Sequence, residues 1–454
     1  MPDILLVILA VVFVLGIAIN IHEFGHFIVA KLFGMRVEAY SFFGLGPRIW
    51  GFKVGHTDYR ISAIPLGAYV KLYGDEETSA LEGGASRDEK VPDSELYELR
   101  PRWQKFLVML GGPFMNIVLA LSIPFAGALI YGVPSMPAPI VGVTDVGGAA
   151  DQAGIKPGDR IVAFNGIENP TWEGIKDETL ISPGKQLPLT VDRGGHKIPL
   201  TVTPAETNVD GNKIGEIGLR PDPGVEPVEA GNVLPGSPAE ESGLKVGDRV
   251  IAFNGQTVRN SQELTAQIRE NKDAPGKLTV ERNGERIELT TQAKQSEDGA
   301  FRIGAAFGAG TYSTRVPVGI GGAAAFAYDS NMRILKLTGR VFGQLFAGER
   351  SVKDAGLAGP VGIVQIIAKV VREAGFVGLF SILAVISLNL GVFNLLPIPM
   401  LDGGQIMVLG IEKVLSWFGT TLSMAVREKI QLAGLAVILL LMVFTLFLDI
   451  SRFF

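Results

Sequence analysis

Three residues near the start of the chain have the types and spacing of a metal site: His22, Glu23 and His26, in the string His22-Glu23-Phe24-Gly25-His26. On a helix, positions i and i+4 share one face, so the two imidazoles can grip a single metal ion. Glu23 stands beside them, placed to take a proton from a water that the metal activates. The setting is unusual for such groups. No charged residue occurs from Ile4 to Ile21, and the apolar run resumes at Phe27 and continues to Ala30. About 20 apolar helical residues cross a bilayer core about 30 Å thick, so these groups should lie at membrane depth. Ionisable side chains there are expensive and usually functional. Their combination points to hydrolysis inside a membrane.

A catalytic zinc takes three protein ligands and keeps one position open. The chain has no cysteine, so the third ligand must be a carboxylate or another histidine. Of the two remaining histidines, His56 lies in a glycine-punctuated loop and His196 in a repeat region outside the apolar segments. Asp402 is better placed. It follows Asn394-Leu395-Leu396-Pro397-Ile398-Pro399-Met400-Leu401 and precedes Gly403-Gly404. The prolines break an apolar span, and unwound backbone at membrane depth is tolerated where it lines an enclosed cavity. The competing reading makes Asp402 the cap of a helix starting at Gly403.

The elements that must position these residues are membrane spans. Besides the first, apolar segments run from Phe106 to Val133, from Phe376 to about Leu396, and from Leu432 to Leu448. Lys31, Arg36, Arg48, Lys53, Arg60, Lys71, Arg87, Lys90, Arg100, Arg102 and Lys105 lie between the first two spans; Lys413, Arg427 and Lys429 lie between the last two. Positive loops stay in the cytoplasm, which leaves both termini and the long middle region external. Spans one and three then run parallel, and His22, His26 and Asp402 fall on the same side. The N-terminus has Asp3 in place of a basic region and no small-residue cleavage pattern before His22, so it reads as a retained helix.

Composition agrees. The chain has 454 residues, enough for two or three domains, with 47% hydrophobic and 19% charged residues, too apolar for a purely soluble protein. The net charge of −5 and the lack of a basic, aromatic-interleaved patch argue against nucleic acid. Between Tyr40 and Tyr73, glycines punctuate short β-rich runs that read as hairpins. Thr78 to Leu99 reads as a flexible polar loop. From Val316 to Val371, apolar stretches interrupted by Arg333, Lys336 and Arg340 suit helices on the membrane surface, with a turn at Gly359-Pro360-Val361-Gly362.

The middle region is duplicated. Gly154-Ile155-Lys156-Pro157-Gly158-Asp159-Arg160-Ile161-Val162-Ala163-Phe164-Asn165-Gly166 recurs as Gly243-Leu244-Lys245-Val246-Gly247-Asp248-Arg249-Val250-Ile251-Ala252-Phe253-Asn254-Gly255. A period of nearly ninety residues is a domain duplication, too long for a solenoid. The pattern resembles PDZ domains of the bacterial protease-associated type, which bind peptides by adding a strand to a sheet edge. Ile217-Gly218 and Ile303-Gly304 are candidate groove or carboxylate-loop residues; the competing reading makes them ordinary strand residues.

Taken together, HEFGH in the first span, NLLPIPMLDGG at the third and the duplicated repeat between them resemble the bacterial site-2 intramembrane metalloproteases. The resemblance covers essentially the whole chain. It implies a multi-pass α-helical membrane protein with four transmembrane helices, a membrane-associated β-loop and two tandem external PDZ domains. The expected organisation is a first span with the histidine motif (1–33), a cytoplasmic-side β-loop and polar loop (34–103), a second span (104–133), PDZ domains (134–221 and 222–310), surface helices (311–372), a third span carrying Asp402 (373–411) and a fourth (430–449). The family implies one Zn2+ per chain held by His22, His26 and Asp402, with Glu23 as general base or acid. It implies that Asn394, Pro397 and Pro399 position substrate, and that the segment from Gly44 to Tyr69 presents it as an extended strand. Gly111-Gly112-Pro113 and Asn116 resemble a second-span motif of the family. The implied function is intramembrane endoproteolysis of single-pass membrane proteins in a bacterial inner membrane after a first external cut. An anti-sigma factor or remnant signal peptides are the implied substrates. The site should face the cytoplasmic side, with periplasmic PDZ domains as a size filter. Two other classes compete: a membrane adaptor with a structural zinc, and a zinc transporter, which calls for more intramembrane carboxylates and histidines than occur here.

Overall fold

The computed structural model describes residues 2–64, 67–74, 91–135, 137–209, 212–296, 300–307, 315–354, 358–420 and 422–451. The chain forms two compact units, Met1–Tyr131 with Val318–Phe342 and Leu357–Phe454, and Gly132–Pro317 with Gly343–Gly356.

In the first unit the uncharged N-terminal run folds as α1 (Pro2–Leu32). Strands β1 (Val37–Phe43), β2 (Leu45–Val54), β3 (Thr57–Ile64) and β4 (Tyr69–Leu72) follow, in the sheet order β2-β3-β1-β4. Among the described residues of this sheet only β2 and β3 make a hairpin; β1 pairs parallel with β3 and antiparallel with β4. The expected run of hairpins is corrected by burial. Val37, Ala39 and Tyr40 are all buried, which suits an inner strand, whereas Arg48 and Lys53 suit the edge that β2 occupies. Of the polar stretch expected to be a flexible loop, residues 78–90 lie outside the described residues. Its end is built: Asp93–Glu95 form a helical turn, Tyr97 N–H donates to Tyr73 O (2.9 Å), and Arg36 pairs with Glu95 (2.7 Å). Helix α2 (Arg102–Tyr131) then returns alongside α1.

The second unit holds the duplicated sequence as two copies of one arrangement. In the first, Arg160–Phe164 pairs with Leu187–Arg193, which forms a hairpin with His196–Val202; α3 (Trp172–Leu180) connects them. In the second, Arg249–Phe253, Pro275–Arg282 and Glu285–Gln292 repeat this around α4 (Ser261–Asn271). The pairings Phe164↔Leu189 and Phe253↔Leu278 show the common register. Both helices open on a side-chain cap, Thr171 accepting from Gly174 N–H and Asn260 accepting from Glu263 N–H. Each copy also buries one aspartate under an arginine fork. Asp159 takes Arg193 Nε and Nη2, both at 2.7 Å, and Asp248 takes Arg282 Nε and Nη2 at 2.6 and 2.7 Å. Burial pushes the Asp159 carboxyl up, yet the arginine and the Lys156 N–H leave it below its ordinary range; at Asp248 the Arg282 fork is the largest influence, with the same outcome.

The chain closes the first unit with α5 (Ile320–Phe346), α6 (Pro360–Asn394), α7 (Asp402–Trp417) and α8 (Met424–Ser451). Several expectations are corrected here. Residues 308–314 lie outside the described residues. The stretch from Pro360 to Val371 is helical and forms the first part of α6, set off from the third apolar segment by a break at Gly375 (φ 62°, ψ −159°). Ile367 and Val371 are buried against Ala10, Val14 and Ala18 of α1. Gly359-Pro360-Val361-Gly362 starts this helix, its Gly359 and Gly362 N–H groups donating to Asp449 at 3.0 and 2.9 Å. The third apolar segment ends at Asn394, and Asp402 opens a separate helix. Among the described residues, α1, α2, α6 and α8 are long and apolar enough to cross a membrane. Helices α1 and α6 run in the same direction, with Phe13 against Phe376 and Phe380 near one end and His22 beside Asn394 near the other.

Candidate metal centre

Two glycines let α1 and α2 meet backbone to backbone. A Cβ on Gly25 would lie 2.1 Å from Gly111 O, and one on Gly111 would lie 2.5 Å from Gly25 O. Small residues at such crossings are the usual means of close helix packing in lipid, where apolar burial drives nothing. The contact presents the His22 and His26 face of α1 to Val108, Gly112 and Asn116, which are spaced by four on α2. Gly112 is the floor. A Cβ there would lie 2.4 Å from His26 Nε2 and 2.8 Å from His22 Nε2, so only glycine leaves room in front of the rings.

The carboxylate comes from the break after α6. Pro397 and Pro399 prevent the helix from continuing, and the chain turns through Ile398 N–H→Leu396 O (2.7 Å) and Leu401 N–H→Ile398 O (3.1 Å). Met400 adopts φ 78°, a left-handed conformation costly for a side chain of its size. Gly403 and Gly404 let the start of α7 press on this turn, since Cβ atoms there would lie 2.2 Å from Leu395 O and 2.1 Å from Ile398 O. Pro399 is pinned against Gly434 of α8, whereas Pro397 is exposed. Asp402 is the first residue of α7, and its N-cap is Leu401 without a side-chain hydrogen bond. The alternative of Asp402 as a cap is therefore not what the geometry shows.

Three ligating side chains converge. His22 Nε2 lies 3.2 Å from His26 Nε2, Asp402 Oδ2 lies 3.0 Å from His22 Nε2, and Asp402 Oδ1 lies 3.4 Å from His26 Nε2. Donor atoms bound to one tetrahedral zinc are about 3.4 Å apart, given zinc–nitrogen and zinc–oxygen bonds near 2.1 Å. Asp402 Oδ2 is buried without a hydrogen bond among the described residues, an orphan that a cation would satisfy. The donor set is two imidazoles and one carboxylate, a common catalytic zinc set. The residues fit the ion. His26 Nδ1 meets Val108 O at 2.7 Å, which places the proton on Nδ1 and leaves Nε2 free to bind. The amide Nδ2 of Asn394 lies 3.3 Å from His22 Nε2. Val70 of β4 lies beside Glu23, so an outer strand of the sheet borders the site.

The repeat residues sit elsewhere. Ile217 and Ile303 are buried core residues, and their carbonyls accept from Ala150 N and Ala239 N. Gly218 and Gly304 take positive φ (67° and 78°), and their carbonyls accept from Asp145 N and Leu234 N. Sequence reasoning missed Gly25, Val108 and Gly434 at the metal centre. Small residues facing one another across helices leave no local pattern, and a backbone carbonyl leaves none at all.

A family model described as Peptidase family M50 matches residues 10–441. A putative zinc metalloprotease of Vibrio cholerae serotype O1 is 31% identical over 486 residues, covering 100% of both chains. The regulator of sigma-E protease RseP of Escherichia coli strain K12 is 32% identical over 462 residues, covering 96% of this chain and 97% of that one. The protease RseP of Yersinia pestis is 32% identical over 470 residues, covering 100% of both. Among solved structures, the PDZ domain of an SdrC-like protein from Listeria monocytogenes is 21% identical and matches 18% of this chain and 85% of its own, with a TM-score of 0.17. The chain belongs to peptidase family M50, the site-2 proteases, and is a zinc metalloprotease.

Proposed function

We propose that this protease binds one zinc per chain through His22, His26 and Asp402 and cuts single-pass membrane proteins at membrane depth. The observation that carries the reading is the convergence of three side chains, with ligand atoms 3.0–3.4 Å apart, supplied by α1 and by the broken end of the third span. Zinc in this site supplies Lewis acidity toward the scissile carbonyl and an acidified water. Glu23 takes the water's proton and returns it to the leaving amine. A helical substrate hides its peptide bonds in its own hydrogen bonds, so it must unwind before cleavage. The edge of β4 that is unpaired among the described residues, beside Glu23, suits a strand added to the sheet, and the Asn394 amide is placed to hold that strand against the metal.

The relatives named as regulators of sigma-E support an anti-sigma factor as one substrate. Loop charge supports a bacterial inner membrane location with the site toward the cytoplasm and residues 134–310 in the periplasm. Both repeats are then PDZ domains. Their role is to exclude substrates with large external domains, which places this cut after a first external one.

Purified protein acting on a single-pass membrane substrate tests the reading. Cleavage should stop with a chelator, return with zinc, and be absent in Glu23→Gln protein that still binds zinc. A Glu23→Gln enzyme that cleaves normally overturns the mechanism. Deleting residues 134–310 should admit substrates with intact external domains, and continued exclusion refutes the filter.

A further inference from the structure

Helix α2 faces the two imidazoles with three positions in line: the Val108 carbonyl, the gap at Gly112, and the Asn116 side chain. Val108 and Asn116 play parallel parts. The Val108 carbonyl lies 2.7 Å from His26 Nδ1, and the Asn116 amide Nδ2 lies 3.2 Å from His22 Nδ1. A histidine that binds a metal through Nε2 carries its ring proton on Nδ1 and needs an acceptor there. Val108 O is such an acceptor. With Nδ2 toward the ring, Asn116 is a donor, which suits only the tautomer that keeps its proton on Nε2.

We infer that Asn116 is a positioning residue for His22, whose amide oxygen accepts the Nδ1 proton when zinc is bound. A half-turn of the terminal torsion exchanges Nδ2 for Oδ1, and the two ends of an amide have nearly the same shape. Asn116 Oδ1 is buried and has no hydrogen bond among the described residues, so it gives up no partner in turning. The side chain has nowhere else to go. Asn116 is 0% exposed, Ser387 of α6 donates to its backbone carbonyl at 2.9 Å, and a Cβ on Gly391 of the same helix would stand 3.2 Å from Asn116 Cβ. Helix α6 therefore presses Asn116 onto the ring. His22 is oriented by a side chain that can change from donor to acceptor, and His26 by a backbone carbonyl that cannot.

The inference rests on zinc at His22, His26 and Asp402, and the test separates the two. Zinc affinity is measured by chelator competition on the full-length protein in detergent, without substrate. His22→Ala should abolish tight binding, and a His22→Ala protein that binds as the wild type does overturns the metal reading itself. Asn116→Leu removes the acceptor at similar volume and should weaken zinc binding by roughly 10–100-fold. Asn116→Asp keeps an acceptor that cannot turn into a donor and should bind at least as tightly as wild type. Unchanged affinity in Asn116→Leu, or an equal loss in Asn116→Asp, refutes the assignment while leaving the ligands intact. If Asn116→Leu lowers the thermal midpoint, Asn116→Ala repeats the comparison without overfilling the site.

Discussion

Replacing Gly112 by alanine adds one methyl group at the point where the two imidazoles face α2. The new Cβ would lie 2.4 Å from His26 Nε2 and 2.8 Å from His22 Nε2. Ordinary contact begins near about 3.4 Å, so His26 Nε2 must retreat by about 1 Å or the helices must part. Metal sites tolerate ligand displacements of about 0.2 Å, and a misplacement of about 1 Å costs on the order of 100-fold in rate. The expected result for Gly112→Ala is therefore at least about a 100-fold loss in kcat/KM, equivalent to about 2.7 kcal/mol, together with weaker zinc binding. Gly127 lies on the same helix with nothing within 4 Å of an added Cβ. Gly127→Ala should leave both quantities unchanged and stabilise α2 by about 0.5–1 kcal/mol through helix propensity. The assays are chelator competition for zinc and cleavage of a single-pass substrate, with thermal unfolding as the control for folding. Wild-type zinc affinity in Gly112→Ala would mean that the metal does not sit where both Nε2 atoms face, and the argument from the triangle of donors would fail.

Two further outcomes concern the supports of the site and the repeats. Glu412 of α7 is buried and bridges to Arg427 of α8 and to Arg102 of α2, at 3.7 Å for the latter. Because α7 begins at Asp402, Glu412→Leu should lower the thermal midpoint and reduce kcat with little change in KM; full activity would show that the bridge does not orient Asp402. In the second repeat, Asp248→Asn should destabilise the unit by roughly 2–3 kcal/mol at neutral pH, since a charged hydrogen-bonded partner of Arg282 is lost. The folded carboxyl titrates below its unfolded value, so this stabilisation is present above roughly pH 4 and disappears as the pH falls through the lower folded value. The gap between wild type and variant should close in acid, and a gap independent of pH would refute the assignment.

What the amino-acid sequence made legible followed from short-range rules. His22 and His26 share a helix face by spacing alone, and the absence of cysteine directs the search for a third ligand to Asp402. The repeat is legible because each copy carries its own turn glycines and the same alternation of buried residues. Its arginine forks are not, since Arg193 and Arg282 lie 34 residues beyond the aspartates that they cover. The sheet order failed for a related reason. Glycines mark where strands turn but not which strands pair, and the parallel pairing of β1 with β3 depends on burying both faces of β1. The stretch from Pro360 to Val371 was legible as a helix apart from the third span, with the break at Gly375 between them, but its recurring charges gave no sign of its packing. Ile367 and Val371 nevertheless pack on α1 while Lys369 and Arg372 lie on other faces of the helix.

The metal centre and the helix packing depend on the same residues. Lipid offers no gain for bringing apolar helices together, so the crossings must rest on close backbone approach and on polar contacts. Gly25 on Gly111 sets the distance between the histidine helix and α2, and Gly391 on Pro113 O (2.9 Å from an added Cβ) brings α6 against α2. Gly403, Gly404 and Gly434 fold the broken end of the third span into the turn that delivers Asp402. The ligand triangle is thus fixed by places where side chains are missing. Enlarging any of these glycines moves a helix and a ligand together, so loss of zinc affinity and loss of thermal stability should track each other across that set. Asn116→Leu should break the correlation, because it removes an acceptor without widening a crossing.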